Sequence, residues 1–296
     1  MKKRNRIVLI VALMFLSGGL ATWILRSRER REPVYQGKTL SVWLNDLNRS
    51  FRYPVLSDPA AEAVRQIGTN ALPFLLERAR SKDSRFRGKL QEWFTNQSVI
   101  PVNRFHFAVA PYRHAEARWG FQALGPGAKT AIPELVELIK DEETADASAD
   151  YALGCIGSEA VLPLTNALTN DNPAVRYGAS KALGMIGSEA KAAVPNLIKC
   201  LRDRDHRMRF LAALALGNIA KEPAVSVPAL IARLEDTDVG VRERSAIALG
   251  KFGDQANSAI PALLKAHQTQ HQNLRRLAAE ALKKIDPEAA EKVDLK

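Results

Sequence analysis

Along the C-terminal two thirds of the chain, apolar residues return at spacings of four, three and one, and the whole set then recurs about every 33 residues. Val175, Ala179, Ala182, Leu183 and Ile186 form one set, and Met208, Ala212, Ala215, Leu216 and Ile219 the next. Val241, Ser245, Ala248, Leu249 and Phe252 follow, then Leu274, Ala278, Ala281, Leu282 and Ile285. Such spacing puts all five side chains on one helix face, so each set predicts an amphipathic helix. Asn172, Asp205 and Asp238 precede these helices, with side chains that accept from free first-turn N–H groups. A glycine closes the helix and permits the turn. Gly68, Gly125, Gly157, Gly187, Ala220, Gly253 and Asp286 align, with steps of 32, 30, 33, 33 and 33 after Gly125. Pro73, Pro133, Pro163, Pro195, Pro228 and Pro261 keep step with them. Proline lacks the N–H that a first turn leaves unpaired, so each opens a second helix. The phrase "ALGMIGSEAKAAVP", nearly written at Ala152 as "ALGCIGSEAVLP", is therefore a joint between helices and not a site.

The consensus, D-x-x-V-R-x-x-A-x-x-A-L-G-x-I-G-x-x-A-x-x-A-V-P-x-L-I, resembles the HEAT repeat, in the variety first named for bilin lyases. The resemblance covers most of Leu56 to Asp286 and is strong from Arg113 onward. It implies an all-α chain, a right-handed solenoid of helix pairs in which each unit buries its neighbour's apolar face. HEAT arrays serve many unrelated roles, so function has to be argued from particular residues.

Ahead of the array, Ile7 to Leu25 is a run of nineteen residues without a charge, flanked by "MKKRNR" and "RSRERRE". About 20 apolar residues span a bilayer as a helix. Gly19-Leu20-Ala21 offers a weak signal-cleavage site, but Trp23, Ile24 and Leu25 continue the apolar run past it, which favours an uncleaved single-pass signal anchor. Basic residues are evenly matched on its two sides. A short tail held in the cytoplasm would place the array on the extracytoplasmic side. The expected division is 1–32, anchor with basic flanks; 33–55, linker and capping helix; 56–112, first repeat with an insertion; and 113–296, the regular array with a degenerate last repeat. In the capping helix Leu40, Trp43, Leu44 and Leu47 make one stripe, with Thr39 or Ser41 as its cap.

The net charge of +11 changes the picture only once it is located. Residues 1–32 carry +6, residues 33–112 carry +5, and residues 113–296 balance at zero. The excess lies beside the anchor, where basic residues are attracted to anionic lipid. A nucleic-acid track along the array is disfavoured; the array also lacks Trp after Trp119, so similarity to HEAT-type DNA glycosylases stops at architecture. A bilin-lyase-like activity rests on the repeat's name alone.

Catalytic constellations are not assembled by the sequence. Tyr177-x-x-x-Lys181 has the spacing of a dehydrogenase pair, but lacks the Gly-rich nucleotide turn that chemistry needs. Ser188-x-x-Lys191 loses its lysine in the twin, at Val161. The five histidines form no His-Glu pairs, and Cys155 and Cys200 have no zinc spacing. The expectation is no enzyme, no metal and no cofactor, with a protein as partner. Arg176, Arg209, Arg242 and Arg275 form a ladder of period 33, expected to bond acidic or carbonyl groups at the turns. The interval Gly68 to Gly125 spans 57 residues where about 30 are expected, and its basic and aromatic residues are the candidate partner or lipid contact: Arg78, Arg80, Lys82, Arg85, Arg87, Lys89, Trp93 and Phe94.

Overall fold

A computed structural model describes residues 32–49, 58–81, 110–140 and 149–294. The anchor segment Ile7–Leu25 lies outside them; among the described residues no helix is long and apolar enough to cross a membrane.

The described chain opens with an element that the helical pattern did not foretell, a hairpin of β1 (Val34–Tyr35) and β2 (Lys38–Thr39). Its two-residue turn is Gln36-Gly37, both with positive φ (48° and 75°), the backbone that matches the twist of paired strands. Helix α1 (Leu40–Arg49) follows directly, with Leu40, Trp43, Leu44 and Leu47 all buried. Its first-turn N–H at Ser41 is taken by the Glu32 carboxylate, 3.2 Å away. Thr39 and Ser41, expected as caps, bond to each other at 3.1 Å instead, because the hairpin brings Glu32 back over the helix start.

Helix pairs then succeed one another. The first helices are α2 (Pro59–Ile67), α4 (Ala110–Leu124), α6 (Ala149–Ile156), α8 (Pro173–Ile186), α10 (His206–Ile219), α12 (Val239–Lys251) and α14 (Gln272–Ile285). The second helices, interleaved with them along the chain, are α3 (Leu72–Ala79), α5 (Ile132–Ile139), α7 (Val161–Ala167), α9 (Val194–Cys200), α11 (Pro223–Arg233), α13 (Ile260–His267) and α15 (Pro287–Asp294). Every apolar set read from the sequence is buried except Ile186, which is partly covered, and one core runs from Leu40 to Ala290.

The caps behave as their chemistry requires. Asp58, Asn172, Asp205 and Asp238 accept from N–H groups in the first turns of α2, α8, α10 and α12 at 2.8–3.0 Å. Gly68, Gly125, Gly157, Gly187 and Gly253 all have φ between 51° and 82°, and the turn after each is a short 3₁₀ segment. At Gly187 the pair φ 71°, ψ −137° lies in a region essentially reserved for glycine.

The fifth joint departs from this plan. Ala220 takes φ 44° and ψ 46°, Glu222 is also left-handed, and α11 starts at Pro223 with Pro228 inside it. The second helix expected from Pro228 therefore begins five residues earlier. Pro223 is itself suited to a helix start, and the Ser226 hydroxyl bonds the Lys221 carbonyl at 2.9 Å, tying the new corner. A left-handed alanine costs about 1–2 kcal/mol. Ala220→Gly is accordingly expected to stabilise the array by about 1 kcal/mol and to raise its melting temperature by about 2–4 °C, measured by circular dichroism.

Candidate functional site

The first helices touch one another closely. In the four A-L-G triplets from Ala152 onward the glycine sits against the residue 31 positions on: Gly154 on Met185, Gly184 on Ala215, Gly217 on Ala248 and Gly250 on Ala281. A methyl group built on Gly217 would lie 2.7 Å from the Ala248 Cα. The second helices instead leave grooves. One lies between α3 and α5, about 500 Å³, and another between α11 and α13, about 370 Å³.

The outer face of the first helices carries a row of half-buried rings and aliphatic side chains. Trp119, Tyr151, Leu214 and Ile247 occupy one equivalent position, and Tyr177 and Phe210 the position one helical turn earlier in their repeats. Their polar tips bind across repeats. Trp119 Nε1 donates to Asn48 Oδ1 at 3.3 Å, the Tyr151 hydroxyl to Gln122 Oε1 at 3.0 Å, and the Tyr177 hydroxyl to Asp205 Oδ2. Arg118 stacks over Tyr151 at 4.4 Å and Arg244 over Phe210 at 4.6 Å. Met185 is 46% exposed on the same face. Repetition thus turns single helix positions into a row of apolar and cationic side chains, broken at Lys181 and Glu243.

Geometry separates the Tyr177–Lys181 pair. Tyr177 is committed to Asp205, while Lys181 lies 3.7 Å from Asp150, in the preceding repeat. Burial and the Asp205 bond push the Tyr177 hydroxyl up to about 12, the opposite of what a proton-transferring tyrosine requires. Burial likewise pushes the Cys155 and Cys200 thiols up to about 11, away from the reactive thiolate.

The arginines of period 33 sit at the turns between repeats. Arg176 Nη1 donates to the carbonyls of Asn170 and Asp171, both at 3.0 Å, and Nη2 approaches Asp203 at 3.5 Å. Arg209 Nη1 takes the carbonyls of Asp203 and Arg204, while Nε and Nη2 clamp the two Asp236 oxygens at 2.8 and 2.7 Å. Arg242 Nη1 takes the carbonyls of Asp236 and Thr237 at 2.6 and 3.3 Å. Arg275 differs: it is exposed, and its backbone carbonyl accepts from His267 Nδ1 at 3.1 Å. Asp236 is the centre of the ladder, with a side chain 2% exposed that also meets Arg233 at 3.2 Å and accepts the Asp238 N–H at 3.0 Å.

Of the candidate contact residues, the structure describes two. Arg78 is mostly buried, paired with Glu116 at 3.2 Å and stacked over Phe74 at 4.5 Å. It joins α3 to α4 and is not available as a surface contact, a correction to its sequence reading. Burial pushes the Glu116 carboxyl above its ordinary value, against the pull of Arg78 and Arg113. His114 Nε2 lies 2.8 Å from the Ser81 carbonyl, a second tie between the two helices that flank the insertion. Arg80 is half exposed and pairs with Glu134 across the groove between α3 and α5. Lys82, Arg85, Arg87, Lys89, Trp93 and Phe94 lie outside the described residues.

Stacked helix pairs with ladders at their joints define a helical repeat solenoid. Residues 161–227 and 227–293 match the family model of HEAT repeats. Among solved structures the chain is similar to a designed armadillo repeat protein in complex with the peptide (KR)4, with 20% identity and a TM-score of 0.44, covering 73% of this chain and 99% of that one. It is similar to an engineered protein at 20% identity and TM-score 0.45, covering 82% and 98%. Computationally designed armadillo repeat proteins for modular peptide recognition give 20% identity and TM-score 0.45, covering 73% and 100%. Comparison with curated proteins gives no match.

Proposed function

We propose that the protein is a membrane-anchored HEAT-repeat scaffold, with repeats of the bilin-lyase variety, that presents its first-helix face to a protein partner and catalyses no reaction itself. The observation that carries this reading is the row of Trp119, Tyr151, Tyr177, Phe210, Leu214 and Ile247, contributed by the first helices of five repeats and interrupted by Lys181 and Glu243. Rings and stacked arginines on a largely apolar ground have the composition of protein interfaces. Close glycine contacts between first helices, with grooves between second helices, bend the stack towards the first-helix layer, so the strip lines the concave side. The uncharged run Ile7–Leu25 supports the anchor, and the basic residues after it support contact with anionic lipid.

Photocrosslinking tests this in cells of the source organism. Crosslinkers at positions 210 and 214 should each give the same discrete protein adduct. One at Leu162, 70% exposed on a second helix, should not. Absence of a protein adduct at 210 and 214, or nucleic-acid adducts there, would overturn the reading.

A further inference from the structure

The arginine ladder lacks one acid. Arg209 and Arg176 each use Nη1 on their own turn and reach an aspartate 27 positions on, Asp236 and Asp203. For Arg242, whose Nη1 is held in the same way, the residue 27 positions on is Thr269. Thr269 keeps one part of the aspartate's role: its Oγ1 accepts the His271 N–H at 3.4 Å, as Asp236 Oδ1 accepts that of Asp238 at 3.0 Å. It brings neither the charge nor the second oxygen that a guanidinium fork matches.

Arg242 borders the open groove between α11 and α13. Thr269, Lys265 and Glu235 also line it, together with apolar Ile231, Leu234 and Leu274. Lys265 and Glu235 neutralise each other at the rim, at 2.6 Å, both well exposed. What remains is one cation beside an apolar floor. At the preceding rung this molecule fills the corresponding place with a flat, singly charged carboxylate.

We propose that this groove is a carboxylate-binding site for an acidic peptide segment, whose carboxylate takes the Nε and Nη2 edge of Arg242 as Asp236 takes that of Arg209. Apolar side chains next to the acid rest on Ile231 and Ala262, the half-buried apolar residues of the lining. A carboxylate fits better than a phosphate, which brings about −1.5 to −2 charge to a single uncompensated cation. The groove opens between the second helices α11 and α13, with Arg242 and Leu274 reaching it from α12 and α14, and it shares no residue with the first-helix strip, so the two readings are tested separately.

The test uses the full chain in detergent micelles, following arginine Nε–H signals by NMR, with Arg242 assigned by loss of its signal in Arg242→Lys. The probes are acetyl-Leu-Glu-Leu-amide, its glutamine counterpart, acetyl-Leu-Leu whose only charge is its free C-terminal carboxylate, and inorganic phosphate. The glutamate peptide should move the Arg242 signal and bind about tenfold or more tightly than the glutamine peptide. Binding of the free-terminus peptide alone, with no response to the glutamate peptide, would overturn the assignment to an acidic segment. Thr269→Asp supplies the missing acid internally, and should weaken binding of the glutamate peptide about tenfold, while neutral Thr269→Asn should retain it. Equal binding of glutamate and glutamine peptides, no response from either, or tighter binding of phosphate would overturn the proposal. So would unchanged binding in a folded Thr269→Asp protein. The peptide comparison needs only the wild-type chain, so the proposal stays testable even if a variant fails to fold.

Discussion

Replacing Asp236 by alanine is expected to cost about 3–5 kcal/mol, because it leaves the guanidinium of Arg209 buried without its counter-charge. Arg209 is 11% exposed and Asp236 2% exposed, so water replaces the lost carboxylate only in part. The same change removes the acceptor for the Asp238 N–H and the pair with Arg233, loosening the turn that starts α12. Asp254→Ala, in the exposed turn after α12, should stay within about 0.5 kcal/mol of wild type. Thermal and urea unfolding of both variants check the contrast. The acid dependence supplies a second readout. Burial pushes the Asp236 carboxyl up, but hydrogen bonds from Arg209 and the Asp238 N–H, with the charges of Arg209 and Arg233, bring it below its ordinary 3.8. A carboxyl lowered in the folded state stabilises fully above its unfolded pKa, and that contribution fades as pH falls through the folded value. The gap between wild type and Asp236→Ala should therefore narrow below about pH 4. A gap that holds constant to pH 2 would show that the cost arises from packing and not from charge.

The ladder also shows how far a repeat can be read without coordinates. Period and residue type placed Arg176, Arg209 and Arg242 at turns and matched them with acids and carbonyls, because a position repeated every 33 residues must meet similar neighbours. Arg275 kept the period but not the contact. Its repeat has Thr269 and His271 where the others have a pair of Asx residues, and His271 gives no side-chain cap. Departures of this kind were visible in the letters, yet their consequence depends on which atoms face each other.

Other features needed the third dimension outright. The hairpin at Val34–Thr39 rests on four strand residues, too few for a period to register, although Gln36-Gly37 was a turn signal available to be read. Arg78 resembled its basic neighbours in the sequence, and only the packing of α3 on α4 turns it towards Glu116. Trp119, Tyr151, Tyr177 and Phe210 are scattered through the chain at spacings of about 30 residues or fall one helical turn apart in register, so their union into one strip emerges only when the repeats are stacked.

The joint glycines were legible from their period; Gly154, Gly184, Gly217 and Gly250 were not, because alanine at neighbouring positions had already accounted for close approach. Gly217→Ala separates these roles. In a free helix the change would gain about 1 kcal/mol. Here the added Cβ meets the Ala248 Cα at 2.7 Å, backbone that cannot rotate aside, so α10 and α12 must part. Overpacking of this kind costs about 1–3 kcal/mol, and Gly217→Val should reach or exceed the top of that range. The same methyl would stand 3.0 Å from the Ala281 Cα at Gly250 and 3.2 Å from the Ala215 Cα at Gly184, so their alanine variants should lose progressively less. Gly127→Ala meets nothing within 4 Å and has no left-handed φ, so it should gain about 0.5–1 kcal/mol. Melting temperatures should then rise in the order 217, 250, 184, 127. Because stability in a repeat array is carried by nearest-neighbour interfaces, hydrogen exchange in Gly217→Val should quicken first in α10 and α12. If all four alanine variants instead gained stability alike, the spacing of first helices would be set by their other side chains, and the curvature that forms the concave strip would need a different cause.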